Sequence, residues 1–167
     1  MTRDEFNRQL VRILPYVRRL ALRFCNGNMQ NADDLAQEVL LAALVGIEEF
    51  REESSLETWI TGIALYKGAR VWRNRRLYID LDEIADMPST YRGQDLLLED
   101  KDLRARLNKA MLKLSAREMT VFALFYFEHK KIREIADIQG VGISTVTTEL
   151  TNARNKLKKE LSYEDIQ

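Results

Sequence analysis

The chain has 167 residues, of which 46% are apolar and 31% charged, a composition typical of one globular domain or two small ones. No run of about eighteen apolar residues occurs, which excludes a membrane-spanning helix, and the N-terminus lacks the pattern of a signal peptide. The single cysteine, Cys25, excludes an internal disulfide and fits the reducing cytoplasm. Because glycine and proline are sparse and β-branched alternation is absent, we expect an all-α protein. Together with the single cysteine, this leads us to expect a cytoplasmic protein.

The net charge of zero hides an uneven distribution along the chain. Residues 1–78 carry twelve basic and ten acidic side chains, residues 79–103 two and eight, and residues 104–167 twelve and eight. Two mildly basic ends that flank an acidic segment indicate two modules and a linker. We expect domains at 1–78 and 99–167, joined by a flexible acidic linker at 79–98.

The N-terminal half contains three predicted helices. The first covers residues 4–25, and Gly27 suits its left-handed C-cap. Asn31 is the expected N-cap of the second helix. Ser54 lies three residues before Glu57, which predicts a capping box at the start of the third.

The end of the third helix mixes aromatic and basic side chains, including Tyr66, Trp72 and Arg73. Rings that stack on bases and cations that hold phosphates suit single-stranded nucleic acid. The alternative from this stretch alone is that Trp59 is core and that Arg73, Arg75 and Arg76 favour the negative end of the helix dipole.

No pattern of catalytic or metal-binding residues stands out. Asp33 and Asp34 are adjacent and therefore point in different directions from a helix, with no histidine or cysteine nearby. His129, the one histidine, lies at a predicted turn and is expected to be solvated. There is no glycine-rich phosphate loop or metal-ligand spacing. We expect neither an enzyme nor a bound metal or cofactor.

The C-terminal half predicts a helix-turn-helix. A helix from Glu99 to Leu114 is followed by a capping box at Ser115 and Glu118. A short helix at 131–138, a glycine-containing turn and a last helix capped by Ser144 complete the pattern. The second helix of such a motif enters a major groove of DNA, whereas a plain helical hairpin would have no such role.

Both halves resemble one family, the bacterial RNA polymerase sigma factors of the extracytoplasmic-function group. In the N-terminal half the resemblance rests on NADDLAQEVLLAAL, FREESSLETWITGIA and VWRNRR, which are similar to sigma domain two. In the C-terminal half, LSAREMTVFALFYFE, IREIADIQGVGISTVTTEL and NARNKL are similar to sigma domain four. The resemblance implies a promoter-specificity subunit that binds core RNA polymerase and promoter DNA, assists DNA melting and is a target of an anti-sigma factor.

The resemblance also implies roles for individual residues. Those for docking on the polymerase are Asp33, Asp34, Leu35, Gln37 and Glu38. Those at the minus-ten element, where a flipped-out base is held, are Phe50, Arg51, Ser54, Ser55, Trp59, Tyr66, Trp72, Arg73, Arg75 and Arg76. Those at the minus-thirty-five element are Ser144, Thr145, Thr147, Thr148, Thr151, Asn152 and Arg154.

The last helix departs from the family pattern, because Thr147, Thr148 and Glu149 stand where basic residues and a serine are usual. Threonine offers a hydroxyl and a methyl group for thymine but no charge for phosphate, and Glu149 would oppose phosphate contacts. We therefore expect weak or unusual upstream recognition. The alternatives are a sigma-like adaptor whose altered helix serves a protein partner such as an anti-sigma factor, and a plain helix-turn-helix regulator.

Overall fold

The computed structural model describes the backbone of residues 1–78 and 101–164, and the side chains of residues 1–74 and 105–161. Within these ranges all regular secondary structure is helical, which confirms the all-α prediction. The α-helices are α1 (Arg3–Phe24), α2 (Met29–Gly46), α3 (Leu56–Tyr78), α4 (Lys101–Met111), α5 (Ala116–Phe122), α6 (Ile132–Gln139) and α7 (Ile143–Glu164). The linker expected at 79–98 lies outside the described residues.

The chain divides into two compact units, Met1–Val71 and Trp72–Gln167. The division falls inside α3, so the last turns of this helix belong to the second unit. The domain boundaries expected from the charge distribution stay a prediction.

The first unit is a helical bundle in which α1 packs along α2 and α3 contacts both. Its core consists of apolar residues that recur every three or four positions, as expected for helices with one buried face. The main members are Phe6, Ile13, Val17, Leu20, Phe24, Leu35, Val39, Ala43, Leu56, Ile60 and Ala64.

Two predicted helix caps in this unit are wrong, one by three residues and the other by one. Helix α2 begins at Met29, and the side chain of Asn28, not that of Asn31, is the cap; it accepts a hydrogen bond from the Asn31 backbone N–H at 3.0 Å. Helix α3 is capped by Ser55, whose hydroxyl accepts from Thr58 N–H at 3.1 Å. In each case two nearby residues have capping side chains, and the tertiary course of the chain selects one.

In the second unit, α7 packs against α4, α5 and α6. The capping box at Ser115 is confirmed, since Ser115 N–H donates to Glu118 at 2.9 Å and Glu118 N–H donates to the Ser115 hydroxyl at 3.2 Å. Helix α6 ends at Gly140 with φ of 64°, a left-handed conformation that glycine adopts at little cost. Because α7 begins at Ile143, Ser144 lies in its first turn and is not the cap.

Candidate functional site

The outward face of α2 carries three of the residues expected to dock on the polymerase. Asp34, Gln37 and Glu38 are exposed and lie at three- and four-residue spacing, so they share one side of the helix. The same side continues into Leu41 and Val45, whose exposed fractions are 60% and 82%. This surface, which we call the α2 face, is therefore acidic at its N-terminal end and apolar at its C-terminal end.

The other two expected docking residues are placed differently. Leu35 is only 4% exposed and belongs to the core of the first unit, and its role in docking stays a prediction. It lies one position after Asp34, a step of about 100° around the helix, which turns it inward. Asp33 forms an ion pair with Arg18 of α1 at 2.8 Å and so helps to hold α2 on α1.

The loop before α3 begins with an aromatic pair. The Phe50 and Trp59 rings lie 5.1 Å apart at 37°, and both side chains are half-buried. The Trp59 ring also covers Gly46 at the end of α2, where a Cβ atom would lie 3.3 Å from the ring. Trp59 thus holds the loop against α2, and part of its surface remains exposed.

The remaining loop residues expected at the minus-ten element are exposed. Arg51 and Ser54 face solvent, whereas the Ser55 hydroxyl is used in capping α3. Glu52 adopts a φ of 58°, which is uncommon for a residue with a side chain, and its carboxylate lies 3.0 Å from the Met1 amino group. This ion pair joins Met1, which precedes α1, to the loop, and no local pattern in the sequence predicts it.

Along the rest of α3 the expected DNA-binding residues separate into exposed and buried. Tyr66 is 66% exposed and Arg73 is exposed. Trp72 is only 1% exposed, and its indole N–H donates to the Leu114 carbonyl at 3.0 Å within the second unit. A ring buried in this way has no face open to a base, and the expected role of Trp72 at the minus-ten element stays a prediction. Arg75 and Arg76 lie in α3, and their side chains are outside the described set.

The outward face of α7 carries the residues expected at the minus-thirty-five element. Ser144, Thr147, Thr148, Thr151 and Asn152 are exposed, and Thr145 is half-buried. The spacing from Ser144 to Asn152 places the exposed members along one side of the helix, which we call the α7 face. It is the surface of the helix-turn-helix that would face a major groove.

Arg154, which was also expected to bind the minus-thirty-five element, packs against two aromatic side chains of its own unit. Its guanidinium lies over the rings of Phe125 and Tyr126, 5.6 and 5.5 Å from their centroids, and its Nε donates to the Tyr126 hydroxyl at 2.5 Å. These two aromatic residues belong to a π-helical turn, Ala123–Phe127, that follows α5. Because the turn adds a residue to the helical repeat, its positions could not be placed from the 3.6-residue period.

Glu149 does not lie on the α7 face. It is half-buried and directed at α5, where Arg117 lies 4.0 Å away, so the expectation that it opposes phosphate contacts is wrong. Burial raises the pKa of the Glu149 carboxyl, and the nearby Glu118 carboxylate adds to this, against the effect of Arg117.

Glu118 shows the opposite shift. Burial acts to raise its pKa, but the Lys156 ammonium at 2.8 Å and the Ser115 N–H more than offset this and hold the pKa below its usual value.

No group of three or more potential metal ligands occurs among the described residues, and none of the described helices is long and apolar enough to cross a membrane. His129 is exposed at a turn, as expected.

Two family descriptions match the chain. Residues 10–77 match Sigma-70 region 2, and residues 104–157 match Sigma-70, region 4. The first range includes the α2 face and the Phe50 loop, and the second includes the α7 face.

Curated relatives match over most of their length. RNA polymerase sigma factor YlaC of Bacillus subtilis is 32% identical over 81% of this chain and 80% of its own. ECF RNA polymerase sigma factor EcfG of Rhodopseudomonas palustris is 30% identical over 92% of this chain and 83% of its own. Among solved structures, the sigma factor RpoE in complex with the anti-sigma factor NepR from Bartonella quintana has the same fold, with a TM-score of 0.66, 24% identity and coverage of 95% and 97% of the two chains.

Proposed function

Because this chain belongs to the extracytoplasmic-function sigma factors of bacterial RNA polymerase, we propose that its surfaces are divided among core polymerase, the minus-ten element and the minus-thirty-five element. The chain is a promoter-specificity subunit of a family of non-catalytic initiation factors. The observation that carries this is the presence of Sigma-70 regions 2 and 4 in order along one chain. Its place of action is the cytoplasm, where polymerase and chromosome meet.

The α2 face is the proposed docking surface for core polymerase. Its support is the exposure of Asp34, Gln37 and Glu38 next to exposed Leu41 and Val45. An apolar patch with a charged margin is the usual anatomy of a protein interface, in which burial of the apolar part supplies affinity and the charges set orientation.

The Phe50 loop and the exposed side of α3 are the proposed contacts with the minus-ten element. Phe50 and Trp59 form an aromatic wall, Arg51 and Arg73 supply positive charge, and Tyr66 offers a ring to an unstacked base. Extruding a base costs a few kcal/mol, so a protein surface that binds the extruded base favours melting at the matching sequence.

The α7 face is the proposed contact with the minus-thirty-five element, through Ser144, Thr147, Thr148, Thr151 and Asn152. Arg154, which is held by Tyr126, would contact a phosphate at the margin instead of a base.

An anti-sigma factor is a further proposed partner. Support comes from the solved relative, the sigma factor RpoE, which is in complex with the anti-sigma factor NepR. The adaptor alternative, in which the α7 face serves only a protein partner, draws on the same observation together with the lack of lysine and arginine from Ile143 to Ala153.

Charge reversal on the α2 face tests the docking assignment. We expect Asp34→Lys to abolish co-purification with core polymerase and run-off transcription, because it reverses the charge at the acidic end of the α2 face. The matched control is Asp137→Lys, an exposed helical aspartate of the second unit, which should retain both. Circular dichroism verifies that both variants keep their helicity. Normal association of Asp34→Lys would contradict the assignment.

A further inference from the structure

Three threonines of the α7 face turn their hydroxyls back onto their own helix. The hydroxyls of Thr147, Thr148 and Thr151 donate to the backbone carbonyls of Ile143, Ser144 and Thr147, each at 2.9 Å. Each bond spans one helical turn, from residue i to residue i−4, which is a known alternative for threonine inside helices.

This hydrogen bond determines which groups of each threonine side chain remain available to contact a base. A hydroxyl has one hydrogen, and here that hydrogen is already donated to the helix, so only its acceptor lone pairs remain. The methyl group occupies another staggered position on Cβ, away from the carbonyl. All three threonines are exposed, so the α7 face presents methyl groups and hydrogen-bond acceptors.

The α7 face also lacks the groups that usually read guanine. Guanine offers only acceptors in the major groove, N7 and O6, and is read by the donors of arginine or lysine. Residues 143 to 153 contain neither. The next basic residue, Arg154, lies over Phe125 and Tyr126 and donates its Nε to the tyrosine hydroxyl.

We propose that the α7 face reads its upstream element through the 5-methyl groups of thymine, packed against the methyl groups of Thr147, Thr148 and Thr151. This rests on the proposed function of α7 as the minus-thirty-five reader and names the chemical feature that it selects. Thymine is the one base that carries a methyl group in the major groove, and apolar contact with a threonine methyl is a known form of readout. Specificity then comes from shape and apolar contact, with little dependence on phosphate charge.

Replacement of thymine by deoxyuridine isolates this methyl group, since it leaves base pairing unchanged. The full chain is assembled with its core polymerase, and the preferred upstream sequence is selected from duplexes randomised in that element. Each dT of the selected element is then replaced in turn by dU, and holoenzyme binding is measured. We expect about a fourfold loss of affinity at one or more positions, the factor that corresponds to one buried methyl-sized group.

Two sets of variants assign the effect to the threonines. Thr→Ser at 147, 148 or 151 keeps the hydroxyl and removes the methyl, so the variant at the contacting position should bind dT and dU equally. Thr→Val at the same position keeps a methyl and removes the hydroxyl, so it should retain the preference for dT. Comparing protein and base changes together separates direct contact from a change in DNA stacking.

The proposal is overturned if dU binds as well as dT at every position, if no thymine is selected, or if all three Thr→Ser variants keep the wild-type preference. A holoenzyme that forms and initiates transcription under any of these results leaves the proposed function intact. Failure to bind core polymerase would instead remove the proposed function and this inference with it.

Discussion

Glu118 and Glu149 show how two neighbouring carboxyl groups of the second unit respond differently to burial. Glu118 has an ammonium partner, Lys156, at 2.8 Å and a backbone donor, whereas Glu149 has Arg117 at the limit of ion-pair distance. The pKa of Glu118 is accordingly lowered and that of Glu149 raised. The ionised form of Glu149 is thus less favourable in the folded chain than in the unfolded one, whereas that of Glu118 is more favourable.

Glu149→Gln should stabilise the protein at neutral pH. A carboxyl whose folded pKa is raised stabilises the fold only while protonated, so its contribution is present below the unfolded pKa, about 4.5, and is lost as the pH rises through the folded pKa. The gain from Glu149→Gln, measured by urea unfolding, should be present at pH 7 and vanish toward pH 4. The control Glu48→Gln, at an exposed position, should leave the unfolding midpoint unchanged. A variant less stable than wild type at pH 7 would contradict the raised pKa.

Short sequence patterns predicted side-chain contacts within one helical turn, but they did not predict contacts between residues far apart in the chain. The Ser115–Glu118 capping box spans three residues and needs no tertiary information, so the sequence predicted it. The burial of Trp72 depends on a carbonyl 42 positions away, and no local pattern contains that. An aromatic residue beside arginines is compatible with a DNA surface or with a buried core, and only the fold separates the two.

Helix α3 packs against α1 at a point where there is no room for a side chain. Gly68 lies over the ring of Phe24, which is fully buried, and a Cβ atom at position 68 would overlap that ring. Gly62 lies six residues earlier in the same helix, and a Cβ atom there would meet no atom within 4 Å apart from the adjoining residues and backbone of its own helix. The packing of α3 on α1 therefore requires glycine at position 68, whereas the surroundings of position 62 do not.

Gly68→Ala should destabilise the first unit by about 1–3 kcal/mol, the usual cost of overpacking a core. Gly62→Ala is the matched control and should stabilise α3 by about 0.5–1 kcal/mol, because alanine favours a helix interior over glycine. Thermal and urea unfolding followed by circular dichroism measures both. If the two variants shifted stability in the same direction, the close contact of α1 and α3 at Phe24 would be wrong.

The presence of the helices was easier to predict from the sequence than the side of each helix that is exposed. Period and capping residues indicated helices in the described chain, but Glu149 was placed on the outward side of α7, whereas it is half-buried. Neighbours in a helix differ by about 100° in direction, so an error of one position moves a side chain from a binding surface to the core. The exposed α2 face was nevertheless recognisable, since Asp34, Gln37, Glu38 and Leu41 share one side by spacing alone.

For the molecule as a whole, the surfaces proposed for docking and for melting are different, so the two activities should be separable by mutation. Tyr66→Ala with Arg73→Ala should spare association with core polymerase, because neither residue lies on the α2 face, yet reduce the formation of open complexes. The defect should be smaller on a template already mismatched around the start site, where the cost of unstacking bases is removed. Permanganate reactivity of unpaired thymines measures opening on both templates. Equal losses on the two templates would place these residues in docking or folding instead.

Transcription by core polymerase on a pool of genomic DNA fragments, with and without this chain, tests the central claim most directly. Start sites mapped at single-nucleotide resolution should appear only when the chain is present, and their upstream regions should share one minus-ten and one minus-thirty-five sequence at constant spacing. The Asp34→Lys variant should produce none of these start sites, and Asp137→Lys should produce all of them. An unchanged set of start sites, with the chain bound to duplex DNA in the absence of polymerase, would contradict the account and indicate a helix-turn-helix regulator.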